Sequence, residues 1–287
     1  MLSKYKLKKD ILHILMENIK AKKKFGQNFL KDSNIVTRII ESMPHNSNHT
    51  VEIGPGLGDL TEKLVKYKET TAYEVDSDLY TILLSKFATE IQSKQLKLIH
   101  TDVLEAWDKQ NTLYDGKYDL IANLPYYIAT NIILRAFEDN NCEHIIVMIQ
   151  KEVAKKFAAQ QGEKEFSSLG VIATLISKEA KILFDVPPTS FEPPPKVMSS
   201  ILYIKKDKDA SISKEFKKFL KAAFVQPRKK LSKNLSGIVD KTTLVSIYEE
   251  LDLSDNIRPH ELSASLYRQM YKKVILNDRK RKEPEQQ

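Results

Sequence analysis

Val51-Glu52-Ile53-Gly54-Pro55-Gly56-Leu57-Gly58-Asp59-Leu60-Thr61 reads as a buried strand, a tight glycine turn and the first turn of a helix. Glycines at 54, 56 and 58 let the backbone approach a ligand closely. A dinucleotide fingerprint places its third glycine one residue later, so this spacing departs from the nicotinamide pattern. Glu52, on the strand itself, is a poor neighbour for a pyrophosphate. Acidic surroundings suit a cationic cofactor without phosphates. S-adenosylmethionine, with its sulfonium and amino groups, is the leading candidate.

Three further strands continue the pattern. Thr71-Ala72-Tyr73-Glu74-Val75-Asp76 carries Glu74 at its end, where an acid accepts from ribose hydroxyls in dinucleotide sites. Leu96 to Val103 is a third strand, whose Asp102 can accept from an adenine amine. Asp119-Leu120-Ile121-Ala122-Asn123-Leu124-Pro125-Tyr126-Tyr127 is a fourth, apolar up to Asn123 and turned by Pro125. Ligands of open α/β sheets sit outside the strand carboxyl ends. One acid at such an end is better explained as a helix cap; four strands in register delivering ligand-capable groups to one rim are not. Asn123 Oδ1 and the Leu124 carbonyl are two acceptors, Pro125 brings no competing N–H, and Tyr126 offers a flat face. Two acceptors beside a stacking platform suit the exocyclic amine of a nucleobase.

The 287 residues are 41% hydrophobic and allow one large domain plus a small one. Cys142 is the single cysteine, so intramolecular disulfides and cysteine metal clusters are excluded, in keeping with a reducing cytoplasm. The six histidines show no ligand spacing, and no metal is expected. No apolar run is long enough to cross a bilayer. The net charge of +8 is segregated. Residues 1–31 hold nine Lys/Arg against two Asp/Glu, and 205–287 hold twenty against twelve, which leaves the middle acidic. Basic ends grip a polyanion while an acidic centre holds something small and cationic.

Residues 1–20 read as a basic amphipathic helix around Ile11, Leu12, Leu15 and Ile19, within a basic N-terminal extension of residues 1–21. Lys22, Lys23 and Lys24 suit phosphates and precede Phe25-Gly26-Gln27-Asn28-Phe29-Leu30. Asp32 or Ser33 caps the next helix, buried through Ile35, Val36, Ile39, Ile40 and Met43. His144 to Ile149 is a fifth strand. Lys151 and Lys155 then share one face of a helix over 151–160, able to meet RNA phosphates or simply to face water. Strands over 181–186 and 197–204 flank a stiff loop with prolines at 187, 188, 193, 194 and 195. That loop presents Phe191, either as a second face closing on a base or as an aromatic tucked into the core. Residues 205–278 read as helices without strands, with a basic cluster at Arg228, Lys229 and Lys230, and 279–287 as a charged, disordered tail.

Together these pieces resemble the KsgA-type ribosomal RNA adenine dimethyltransferases, a family that includes the Erm methylases. Phe25 to Leu30, Glu52 to Gly58, Glu74 to Asp76, Asn123 to Tyr126 and Phe191-Glu192-Pro193-Pro194-Pro195-Lys196-Val197 carry the likeness. It implies a Rossmann-like α/β fold: a seven-stranded S-adenosylmethionine-dependent methyltransferase sheet over 22–204 with a small all-α C-terminal domain. It also implies cofactor contacts at Asn28, Leu30, Gly54, Glu74, Asp102 and Asn123, alongside the backbone approach at Gly56, and favours the clamp role for Phe191. The implied substrate is two adjacent adenines near the 3′ end of small-subunit rRNA, each dimethylated at N6. A cytoplasmic, monomeric enzyme acting on a pre-30S particle is the expectation. Competing expectations are an Erm-like methylase of large-subunit rRNA, an assembly factor acting mainly by binding, and a small-molecule methyltransferase, the last disfavoured by the basic ends.

Overall fold

The computed structural model describes Lys22 and residues 26–282, with side chains as far as Asn277. The helix expected over 1–20, together with Lys23, Lys24 and Phe25, lies outside the described residues. So does 283–287.

The chain divides into two compact units: residues 1–154 with 181–208, and 155–180 with 209–287. The first begins with β1 (Phe29–Leu30), α1 (Ser33–Glu41), β2 (His49–Ile53), α2 (Thr61–Tyr67) and β3 (Thr70–Glu74). Then come α3 (Ser77–Lys86), α4 (Ala88–Gln92), β4 (Leu96–His100), α5 (Val103–Gln110), β5 (Tyr118–Asn123), α6 (Ala129–Glu138) and β6 (Cys142–Gln150). After α7 (Lys151–Ala158) and α8 (Ser168–Ile176) come β7 (Ser177–Val186), β8 (Phe191–Glu192) and β9 (Ser199–Lys206).

Seven strands form one sheet in the order β4-β3-β2-β5-β6-β9-β7. Neighbours from β4 to β6 are parallel, and β9 runs antiparallel to β6. From β2 the chain winds outward through β3 to β4, then returns to β5 on the other side of β2. The carboxyl ends of β2 and β5 therefore diverge at a topological switch point, the place where such sheets open a ligand crevice. β5 carries the apolar run Leu120-Ile121-Ala122 because both its faces are covered, and β2 is buried from Thr50 to Ile53 despite its mixed composition. Val51, Leu120 and Ile121 are fully buried.

Local chemistry sets the element ends. Asp32 is the α1 cap, accepting from the N–H groups of Asn34 and Ile35, and the expected stripe from Ile35 to Met43 is buried. The third strand stops at His100, short of the expected Val103, because Asp102 caps α5 by accepting from Leu104 N–H at 2.8 Å. At the opposite rim of the sheet, fully buried Asp119 accepts from Asn46, Asn48 and His144. Burial alone would raise that carboxyl, but these bonds, His144's foremost, outweigh it and hold it below the usual range.

Among the described residues the second unit is helical apart from the start of β7 at 177–180: α8 joins α9 (Lys214–Ala223), α10 (Leu231–Leu235), α11 (Lys241–Glu250) and α12 (Ala264–Lys282). Phe216, Phe219 and Tyr271 pack ring to ring in its core. Helix α12 runs on to Lys282, where a disordered tail from Arg279 had been the expectation. Residues 155–180 belong to this unit, although the sequence reading assigned them to the methyltransferase domain. The α8 run Gly170–Ala173 is too apolar to stand exposed, and it is buried.

Candidate active site

At the switch point lies a cleft of about 1070 Å³, including its part open to solvent. The turns after β2, β3 and β5, the α5 cap and the strap 26–30 line it. Asn28, Leu30, Gly54, Gly56, Glu74, Asp102, Asn123, Leu124 and Tyr126 all reach this one cleft. The strap is brought there by a two-stranded antiparallel pairing of β1 with β8, reinforced by Ser190 Oγ donating to Asp32 at 3.0 Å.

The glycine turn behaves as its spacing suggests. Gly56 has φ +61°, and a Cβ there would come within 3.2 Å of the Phe29 ring. Its N–H donates to Glu74 Oε2 at 3.4 Å, while Asp76 N–H donates to Oε1 at 2.8 Å. Glu74 is thus aimed by two backbone donors. Burial pushes its carboxyl up to about 7. Burial also raises Glu52 to about 8, against the opposing pull of the Thr61 hydroxyl, which donates to it at 2.6 Å. Asp102 spends Oδ1 on its helix cap, and no described hydrogen bond ends on its Oδ2.

Asn123 ends β5 with its amide oriented. Nδ2 donates to the Asn28 carbonyl at 3.1 Å, which leaves Oδ1 as the free acceptor. The Leu124 N–H is held by the Met148 carbonyl, and no described hydrogen bond ends on the Leu124 carbonyl oxygen. Tyr126 is half-buried, its hydroxyl 2.6 Å from Ser199 Oγ on β9, so the ring is pinned from a strand two places along the sheet from β5.

Among the described residues the lining holds four acids, Glu52, Asp59, Glu74 and Asp102, and no Lys, Arg or His. Such a surface repels phosphates and attracts a cation. This acidic, acceptor-rich lining therefore fits S-adenosylmethionine and does not fit a dinucleotide.

Residues 18–275 match the model of the ribosomal RNA adenine dimethylase family. The chain belongs to that family. As a family member it is an enzyme, a methyltransferase of ribosomal RNA adenines. It is 71% identical over 259 residues to the ribosomal RNA small subunit methyltransferase A of Aliarcobacter butzleri, covering 90% of this chain and 98% of that one. With its counterpart from Campylobacter fetus it shares 51% over 270 residues, 93% and 99% of the two chains. In three dimensions it resembles a dimethyladenosine transferase from Plasmodium falciparum, with a TM-score of 0.72 at 22% identity over 88% of this chain and 98% of that one. The 23S rRNA methyltransferase ErmE gives a TM-score of 0.66 at 19% identity, covering 86% and 100%. At those identities the two structures show the shared fold alone.

Several sequence expectations for the dimethylase fall elsewhere. Phe191 does not line the cleft: it pairs with Leu30 across β1 and β8, is 5% exposed and packs with Leu30, Ile35 and Ile201. The clamp reading is corrected accordingly; stiff prolines present the ring inward, where apolar area leaves water. Lys22 Nζ lies 2.6 Å from both Asp76 and Asp78, which partner it in place of a phosphate and raise its pKa. Lys151 pairs with Asp185 at 2.5 Å. Lys155, Arg228, Lys229 and Lys230 are exposed. The sequence reading missed Ser199, which orients Tyr126, and Tyr127, which lines the cleft mouth. Serine beside serine on a strand carries no periodic signal, and an aromatic after Tyr126 reads as one more core residue.

Proposed function

We propose that the enzyme dimethylates N6 of two adjacent adenines near the 3′ end of small-subunit rRNA, using S-adenosylmethionine. The observation that carries this reading is Asn123: its amide oxygen is left free beside the Leu124 carbonyl, next to an anchored Tyr126, over a cleft whose described charged lining residues are all acidic. When bound, S-adenosylmethionine supplies a methyl group made electrophilic by its sulfonium. Glu74 accepts from ribose hydroxyls, Asp102 from the cofactor's adenine amine, and Glu52 balances positive charge. Asn28, Leu30, Gly54 and Gly56 form the walls.

The chain's own residues do the rest by positioning. The N6 lone pair of adenine is delocalised into the ring, so the free amine is a weak nucleophile. Asn123 Oδ1 and the Leu124 carbonyl accept the two N6 hydrogens and turn the lone pair out of conjugation. Tyr126 stacks on the ring and holds the nitrogen at a near-attack distance of ~3–3.5 Å. No general base is required, because the methylated nitrogen is acidic enough to release its proton to water. A base inside a duplex must first be flipped out, an unstacking that the Tyr126 face offsets.

The enzyme works as a cytoplasmic monomer on a pre-30S particle, gripped through Lys155 and the cluster Arg228, Lys229 and Lys230. None of the described helices is long and apolar enough to cross a membrane. Methylation of separated ribosomal subunits is the test. Dimethyladenosine appearing in small-subunit rRNA supports the reading; methylation confined to large-subunit rRNA replaces it with the Erm-like one.

A further inference from the structure

We propose that Tyr127 stacks the nucleotide beside the target adenine, so that the mouth of the cleft holds one base while Asn123 presents the other. The inference rests on the adenine-methylating reading above. Tyr127 directly follows the anchored Tyr126 and lines the same cleft, yet it is 60% exposed. No described hydrogen bond holds its hydroxyl. One part of its ring lies on bare backbone. Gly26 has φ +58°, and a Cβ there would come within 3.2 Å of Tyr127 Cδ1. Glycine at 26 is therefore what lets the strap pass beneath the ring, and the supported ring keeps its remaining surface to solvent.

The physics gives that surface a use. Extruding a base breaks its stack with the next one. A sequence-tolerant aromatic face restores about 1–3 kcal/mol per base. Phe191, buried in the core, supplies no such face. Tyr127 stands one residue beyond the platform of the target base, the step at which the neighbouring nucleotide leaves the cleft. In a pair of adjacent adenines, the base on Tyr127 is the one awaiting its own transfer.

The test measures binding of the full chain to two single-stranded RNA oligonucleotides. One carries adjacent adenines; the other is abasic beside the target. Tyr127→Ala and Tyr127→Phe are compared with wild type by fluorescence anisotropy. Losing the ring or the neighbouring base each weakens binding by about tenfold, the scale of one stacked base. The two losses do not multiply, since they report one interaction. Tyr127→Phe stays within about threefold of wild type, which separates ring loss from misfolding. The inference is overturned if wild type ignores the abasic change, if Tyr127→Ala binds normally, or if the two losses multiply. Failure of the underlying reading shows differently: wild type leaves small-subunit adenines unmethylated.

Discussion

The side-chain amide nitrogen of Asn123, at the end of β5, donates to the backbone carbonyl of Asn28, on the N-terminal strap, at 3.1 Å. That single bond decides which end of the amide is left free in the cleft. Asn123→Asp keeps the shape but sets a carboxylate oxygen against the Asn28 carbonyl, so the group swings away. Single-turnover methyl transfer should fall by about 100-fold or more, the scale of a misplaced reacting group. Calorimetry should show S-adenosylmethionine affinity reduced far less than the rate.

Tyr126, in the turn after β5, and Ser199, at the start of β9, form a similar pair. Tyr126→Phe and Ser199→Ala each remove the 2.6 Å hydroxyl contact while leaving the ring. Each should cost about 1 kcal/mol, the worth of one hydrogen bond, seen as a rate loss of less than tenfold. Tyr126→Ala removes the platform and should cost more than either. Equal rates for all three variants would show that the ring does no stacking.

Cofactor affinity should rise with pH. Burial pushes Glu74 up to about 7 and Glu52 up to about 8 in the ligand-free protein, so both are largely protonated at pH 6. A cationic ligand favours their ionised forms, and its binding releases protons. The sign for folding is opposite: acids raised above their ordinary 4.5 favour the folded state most at low pH, and that contribution is lost as pH climbs from 4.5 through about 7 for Glu74 and about 8 for Glu52. The thermal shift produced by S-adenosylmethionine should therefore be larger at pH 8.5 than at pH 6. S-adenosylhomocysteine, without the sulfonium charge, should gain less.

Arg228, Lys229 and Lys230 lie together in an exposed loop before α10. Replacing all three with Gln should weaken rRNA binding and lower the slope of log K against log salt by about 2–3, one counterion per lost phosphate contact. Cofactor binding should not change. An unaltered slope would remove this loop from the RNA interface.

The parts legible in the sequence were those with local causes. Apolar runs ending in Glu74 or Asn123 announce strands and their rim, and three glycines within five residues announce a backbone turn. The acidic lining of the cleft followed from the same strand ends. What escaped reading depends on partners far along the chain. Phe191 faces inward because β8 pairs with β1, more than 150 residues earlier. Lys22 and Lys151 are drawn to Asp76, Asp78 and Asp185, whose proximity no spacing reveals. Residues 155–180 join the C-terminal helices because α8 needs an apolar partner, and composition alone does not say which one.

A crystal structure of the protein with S-adenosylhomocysteine and an adenosine-containing oligonucleotide tests the central claim most directly. The prediction is a purine on the Tyr126 ring, with N6 within hydrogen-bonding distance of both Asn123 Oδ1 and the Leu124 carbonyl and directed at the cofactor sulfur. A purine bound with N6 turned away from Asn123, or a cleft closed to it with the cofactor in place, would contradict the mechanism.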